Sequence, residues 1–300
     1  MRSTKLLAAA LAVPALALAS TAAAQDGDAL EPRQTLDQAE AEVFNDGGIA
    51  VEFNTDITTH YFFRGILQEN QGVIVQPSLE IGFDVTENDQ VSAAGYVGIW
   101  NSFHSEQTGN TGSNEIWYES DLYGGVSFDL AGLYQGLSAD VFYTAYTSPN
   151  GAFDTVQEVA GALGYSAEIQ NIGVDFIGLI AFEIDGAADG GDSGIYGEFG
   201  VQPNFNVDIG NQELVLGVPV TLGFSIDDYY EGNGDDDTLG FVSVGVTTGI
   251  PLEFIDDKYG QWSLNGTITG MFLTGEDSTE LFNNGDEFEL IGTLGINMAY

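Results

Sequence analysis

The chain contains no cysteine in its 300 residues, so it has no disulfide framework and no thiol chemistry. Bases are almost as scarce. Only Arg2, Lys5, Arg33, Arg64 and Lys258 stand against 46 acids, for a formal net charge of −41. Nucleic acid is therefore excluded as a partner, because binding it requires lysine and arginine to displace phosphate counterions. Proline is limited to 7 residues and histidine to His60 and His104. Beyond the N-terminal segment no apolar run reaches the ~18 residues of a membrane-spanning helix. That absence excludes transmembrane helices but not a barrel, whose strands need only ~9–11 residues each.

The N-terminus has the composition of a secretory signal, expected over residues 1–24. Arg2 and Lys5 precede an apolar run from Leu6 to Ala19, and Ala22-Ala23-Ala24 offers a small-residue cleavage site. Residues 25–47 carry some helical periodicity without a long apolar face and are expected to form a short periplasmic leader.

From Gly48 to Tyr300 the dominant signal is alternation. In the last stretch Phe288, Leu290, Leu294, Ile296, Met298 and Tyr300 share one face. Glu287, Glu289, Thr293 and Asn297 share the other, with Ile291 the exception. Period two places successive side chains on opposite faces of a strand. Twelve such segments follow one another, beginning with Ile49 to Phe63. The tenth changes phase near Phe241-Val242, which predicts a β-bulge, and the seventh carries Ile177, Leu179 and Ala181 on its otherwise polar face. Connections alternate between short turns (86–90, 129–135, 170–171, 210–212, 253–260) and mostly longer, acid- and glycine-rich segments (65–72, 104–115, 147–153, 185–194, 227–238, 275–286). Short periplasmic turns facing long external loops are the usual asymmetry of bacterial outer-membrane barrels. Aromatics gather at both ends: Tyr61, Phe63, Phe103, Tyr118, Tyr143, Phe153, Phe182, Phe272 and Phe288 near the long connections, and Phe83, Phe128, Tyr165, Phe205, Trp262 and Tyr300 near the short ones. Two interfacial girdles are the expected reading. The fold class is therefore all-β, a transmembrane antiparallel up-and-down barrel of about 12 strands over residues 48–300.

The polar face should line a lumen with Glu52, Asp56, Glu80, Asp84, Glu119, Asp121, Asp140, Glu158, Asp175, Glu198 and Glu289. Phe62, Tyr96, Trp100, Trp117, Tyr123, Phe142 and Tyr146 are the inward aromatics. Arg64, at the expected top of the first strand with His60 shortly before it, is almost the only cation there. Its guanidinium suits either a latch to Glu287 or Glu289 across the seam of first and last strands, or a constriction contacting solute. The loop acids Asp185, Asp189, Asp192, Asp227, Asp228, Asp235, Asp236 and Asp237 match no calcium-loop spacing. Weak Ca²⁺ or Mg²⁺ binding there, bridging to lipopolysaccharide phosphates, is the most they suggest, and no other cofactor is expected. For hydrolysis, His104 adjoins Ser105, but neighbours on a strand point to opposite faces, and no Ser/His/Asp set emerges.

One further signal lies in Tyr61-Phe62-Phe63-Arg64-Gly65-Ile66 with Gln68, followed by a returning strand from Val73, and in Asp121-Leu122-Tyr123-Gly124. These segments resemble the TorF-type porin family, over perhaps a tenth of the chain. The chain is longer and far more acidic than that family and ends in Tyr where Phe is usual. The resemblance implies an outer-membrane barrel with a porin-like role and no particular substrate. The expectation is a passive channel in the bacterial outer membrane, reached by Sec export. It would contact lipid and lipopolysaccharide and pass cations or small neutral solutes through an acidic lumen, in an oligomeric state that no residue pattern specifies. A non-conducting structural or adhesive barrel, and an outer-membrane hydrolase, are the alternatives.

Overall fold

The computed structural model describes residues 48–87, 90–106, 116–209, 212–231, 236–275 and 282–300. The expected signal and leader segments, and Asp235 among the loop acids, lie outside these residues. Among the described residues the protein is built of β-strands, with one short 3₁₀ turn at Asp257–Tyr259 and no α-helix. The strands are β1 (Ile49–Thr58), β2 (Tyr61–Phe63), β3 (Ile66–Glu69), β4 (Ile74–Glu87), β5 (Ser92–His104), β6 (Trp117–Asp129), β7 (Leu137–Thr147) and β8 (Val156–Ile169). They continue with β9 (Ile172–Asp185), β10 (Ile195–Ile209), β11 (Gln212–Gly217), β12 (Val220–Asp227), β13 (Leu239–Pro251), β14 (Gln261–Leu273) and β15 (Phe288–Ala299).

All but β2 and β3 form one antiparallel sheet that closes on itself, because β1 pairs with both β4 and β15. Strands β11 and β12 share a single position between β10 and β13, interrupted at Val218-Pro219. Pro219 cannot donate to a ladder, and its carbonyl instead accepts from Gly245 N at 2.9 Å. The barrel thus has twelve staves. Neighbouring staves pair all the way round, as the bilayer interior requires.

The alternation read from the chain fixes what faces outward. Ile81, Val97, Leu122, Val141, Leu163, Ile180, Phe199, Val244, Ile268, Leu290 and Leu294 are all exposed, drawn from staves around the circumference. A continuous apolar band of this size has no place in water and meets lipid. Phe83, Phe205 and Tyr300 sit toward the short-turn end, and Tyr143, Phe182, Phe272 and Phe288 toward the long-connection end. The expected bulge is present: pairing of β12 with β13 slips between Gly223 and Phe224, so Gly240 is skipped between Leu239 and Phe241.

A second slip was not expected. Between β5 and β6 the register jumps from Ser102↔Glu119 to Phe103↔Trp117, leaving Tyr118 as an extra residue. The bulge reverses the facing of two aromatics. Trp117 is exposed and stacks on Phe103 at 5.9 Å, whereas Tyr118 is buried and stacks on His104 at 4.4 Å. Trp117 is therefore not an inward aromatic, and Tyr118 does not belong to the outer girdle. Asp84, expected in the lumen, is exposed at the end of β4, where pairing with β5 also slips.

The inner face is packed. Tyr123 lies across the Cα of Gly98 on the neighbouring stave, where an added Cβ would meet its ring at 2.2 Å. Gly98→Ala should cost about 1–3 kcal/mol of stability by overpacking. Urea unfolding of the refolded protein measures this, and the cost should vanish when Tyr123 is Ala.

Candidate functional site

The first stave ends earlier than its alternation suggests. At Thr58 the chain leaves the wall, and Tyr61–Glu69 folds into the lumen as a separate hairpin of β2 and β3. The expected single strand to Phe63 and the expected external connection 65–72 are thereby corrected. So is the girdle position of Tyr61 and Phe63, which are buried. The local sequence explains the fold. Phe63 pairs with Ile66, so Arg64-Gly65 is a two-residue turn, with φ of 50° and 82°. Positive φ at both positions is the signature of a type I′ hairpin turn. Gly65 is needed twice over, because a Cβ there would also meet the Phe241 ring at 2.9 Å.

No sheet ladder joins this hairpin to the wall; side chains make most of the links. Arg64, 2% exposed, donates from both terminal nitrogens to Glu158 of β8, at 2.6 and 2.8 Å. Its guanidinium carbon lies 4.3 Å from the Tyr196 ring centroid and 5.0 Å from that of Phe63. Tyr230 donates to the Arg64 carbonyl at 2.7 Å. Tyr61 donates to Glu119 at 2.8 Å, and Tyr118 donates to Gln68. One backbone bond, Leu67 N to Phe282 O at 3.2 Å, adds to these. Arg64 is therefore not a latch to Glu287 or Glu289: it reaches across the lumen, and Glu289 instead lies 3.6 Å from His60 Nε2. Tyr229 and Tyr230, in the connection after β12, are both buried, and loss of hydration pushes both phenols well above the usual tyrosine range.

The hairpin shares one buried cluster with Trp100, Ala160, Ala162, Ile177, Leu179, Ala181, Phe241, Met271 and Ile291. The residues that broke the polar face of the seventh and twelfth expected strands are thus the wall against which this cluster packs. Most of the expected lumen carboxylates do point inward, and several are hydrogen-bonded. Tyr96 donates to Asp140 at 2.9 Å, Tyr196 to Glu198 at 2.7 Å, and Tyr146 to Glu158 at 3.4 Å. Asp175 accepts from Ser166 at 2.6 Å and Asn204 at 2.7 Å, and Asp56 accepts from Asn54 at 2.5 Å. Glu80 and Asp121 are buried beside Tyr123 and Glu119 respectively, and Glu52 is half-buried.

His104 does not act with Ser105, whose hydroxyl accepts from Val73 N. Its Nε2 lies 2.8 Å from Ser102 Oγ, two residues back on the same face, and its Nδ1 lies 3.9 Å from Glu69 of the hairpin. The acid–histidine–serine order suggests hydrolysis, but Ser102 and His104 are 0% and 1% exposed, beneath Tyr61 and Tyr118. A substrate cannot reach this serine in the closed barrel. Loop acids also serve the backbone: Asp189 accepts from Gly191 N and Glu231 N, each at 2.8 Å, and Asp236 from Tyr230 N at 3.3 Å. Among the described residues no three acids or histidines converge on a point that would hold a metal ion.

Residues 42–178 match the profile of a family described as a bacterial protein of unknown function (Gcw_chp). The match spans both the hairpin and the Asp121–Gly124 segment. No curated protein matches the chain. Among solved structures, an outer membrane channel from Pseudomonas putida is 12% identical, with a TM-score of 0.46 over 84% of this chain and 94% of that one. The beta domain of the Bordetella autotransporter BrkA is 12% identical, with a TM-score of 0.43 over 84% and 98%. Outer membrane phospholipase A from Escherichia coli is 8% identical, with a TM-score of 0.42 over 83% and 92%. The likeness is one of fold.

Arg64→Met should leave Glu158 buried without its partner and destabilise the barrel by about 3–5 kcal/mol, whereas Arg64→Met with Glu158→Met should cost far less. Chemical unfolding of the four members of the cycle, refolded in detergent, measures the coupling.

Proposed function

We propose that this protein is a passive channel of the bacterial outer membrane, closed in this conformation by its lumen hairpin, and that when open it favours cations or small neutral solutes over anions. The observation that carries the reading is how the hairpin is attached. The hairpin is a separate two-stranded sheet held mainly by side-chain bonds, which can part without breaking the ladder of the wall. Inward acids with almost no inward base set a negative potential in the lumen, and that field opposes anions. The resemblance to TorF-type porins supports the same role. Export through the Sec pathway, and contact of the acidic loops with lipopolysaccharide through divalent cations, belong to this reading.

One observation favours a second reading, a barrel that never conducts. The lumen wall beside the hairpin is apolar at Ile177, Leu179 and Ala181, and moving the hairpin would expose it to water.

Planar-bilayer recordings under a KCl gradient separate the two. The wild type should conduct rarely, and a variant with Tyr61–Glu69 replaced by a short Gly/Ser link should conduct steadily with a cation-selective reversal potential. Silence from both proteins would leave the non-conducting barrel standing. An anion-selective potential would remove the role given to the lumen acids.

A further inference from the structure

The lumen wall has two unlike halves. On β4 to β10 it is filled by tyrosines bonded to carboxylates, by Trp100 and Phe142, and by the hairpin. On β13, β14, β15, β1 and the adjoining edge of β4, between Glu52 and Glu80 at one end and Glu289 at the other, the inward side chains are small and polar with Asp56 the one charge, and the register sets them in level rows. Glu80, Glu52, Ala299 and Gln261 are cross-strand partners at the short-turn mouth, and Ser78, Asn54, Asn297 and Ser263 form the row inside them. Gln76, Asp56, Gly295 and Asn265 form the next row, and Thr58, Thr293, Thr267 and Thr247 the third.

Accessibility falls along this track. Asn54, Asn297, Ser263 and Asn265 are half-buried, so solvent reaches them from the short-turn mouth. In the third row Thr58, Thr267 and Thr247 are buried and Thr293 is half-buried. Thr58 and Thr293 hydroxyls lie 3.1 Å apart, and those of Thr247 and Thr267 lie 2.9 Å apart. Beyond them Met271 and Ile291 close the way with the hairpin. The shape is a blind cup, open at the short-turn end and floored by threonines.

We propose that this cup is a binding vestibule for a small uncharged polyhydroxyl solute, of the size of a pentitol or monosaccharide. This deepens the channel reading and rests on it. Amides and hydroxyls both donate and accept, and that pairing of roles matches a polyol. Within the three rows Asp56 is the one carboxylate, with Glu52 and Glu80 standing outside them at the mouth, so the rows hold no carboxylate cage for a bare cation. The cup has no base for an anion, since Lys258 lies in a turn, paired with Asp256. One charged group, Asp56, joins the rows, and its carboxylate is already bonded to Asn54.

Saturation-transfer NMR on the full-length protein, refolded in a sugar-free detergent, tests the proposal with arabitol, methylammonium and acetate as probes. Arabitol should take up saturation well above the two ions. Its signal should fall about fivefold in Asn54→Leu/Asn297→Leu, the equivalent of roughly one lost hydrogen bond. The near-isosteric Thr267→Val/Thr293→Val should weaken binding as well, and serves if the first pair does not fold. Equal saturation in both variants and wild type, or methylammonium or acetate matching arabitol, would overturn the vestibule. Conductance of the same preparations keeps the two readings apart. Arabitol binding without conductance removes the channel and keeps the cup, and conductance without row-dependent binding does the reverse.

Discussion

Closure of the hydrogen-bond ladder between β1 and β15 is the constraint from which the rest follows. In a bilayer no water satisfies a stray amide, so the sheet must close, and the number of staves then sets the width. About eight strands enclose a space that wall side chains can fill by themselves. Twelve enclose more. Here the excess is filled on one side by large aromatics lying over glycines, as Tyr123 lies over Gly98, and in the middle by a hairpin borrowed from the end of the first stave.

The acidity of the chain takes a different meaning once the partners are known. A lumen lined by free carboxylates would be a cation conduit. What is built instead is a set of acids each engaged by a neighbour: Glu119 by Tyr61, Asp140 by Tyr96, Glu198 by Tyr196, and Glu158 by Arg64. Burying a carboxylate is costly unless it is hydrogen-bonded, and a phenol supplies that bond while its ring fills volume. The same pairs pack one half of the lumen and leave the other half to small polar side chains with few charges.

Much of this was legible in the sequence, because alternation is a local signal. The twelve staves, the two classes of connection and the bulge near Phe241 all come from period-two reading. The hairpin was hidden by the same signal. Thr58 to Phe63 continues the alternation of β1, and nothing local says that the chain leaves the wall there. The two-residue turn Arg64-Gly65 was the available cue, since a glycine after a residue that must take positive φ suits a type I′ turn. The partner of Arg64 lies 94 residues away, and no spacing rule links it to Glu158. The reversal of Trp117 and Tyr118 depends on one extra residue between two strands, which a single-strand pattern does not reveal.

The apolar residues of the wall bear on how such a barrel could open. Ile177, Leu179 and Ala181 on β9, with Ala160 and Ala162 on β8, would be wetted if the whole hairpin swung out of the lumen. Each large aliphatic side chain exposed in this way costs about 1.5–3 kcal/mol, added to the loss of the Arg64–Glu158 pair. A smaller movement costs less. If Arg64 keeps Glu158 and the hairpin stays against β8 and β9, only the opposite contact with Phe241, Met271 and Ile291 has to part. Ile291 stands in the row above the threonines, and Met271 and Phe241 stand farther up the same side, past Thr269, Gly245 and Ser243. The cheaper opening and the polar track therefore lie on the same side of the lumen, so the passage these energetics favour is eccentric, between a stationary plug and a hydroxyl-lined wall.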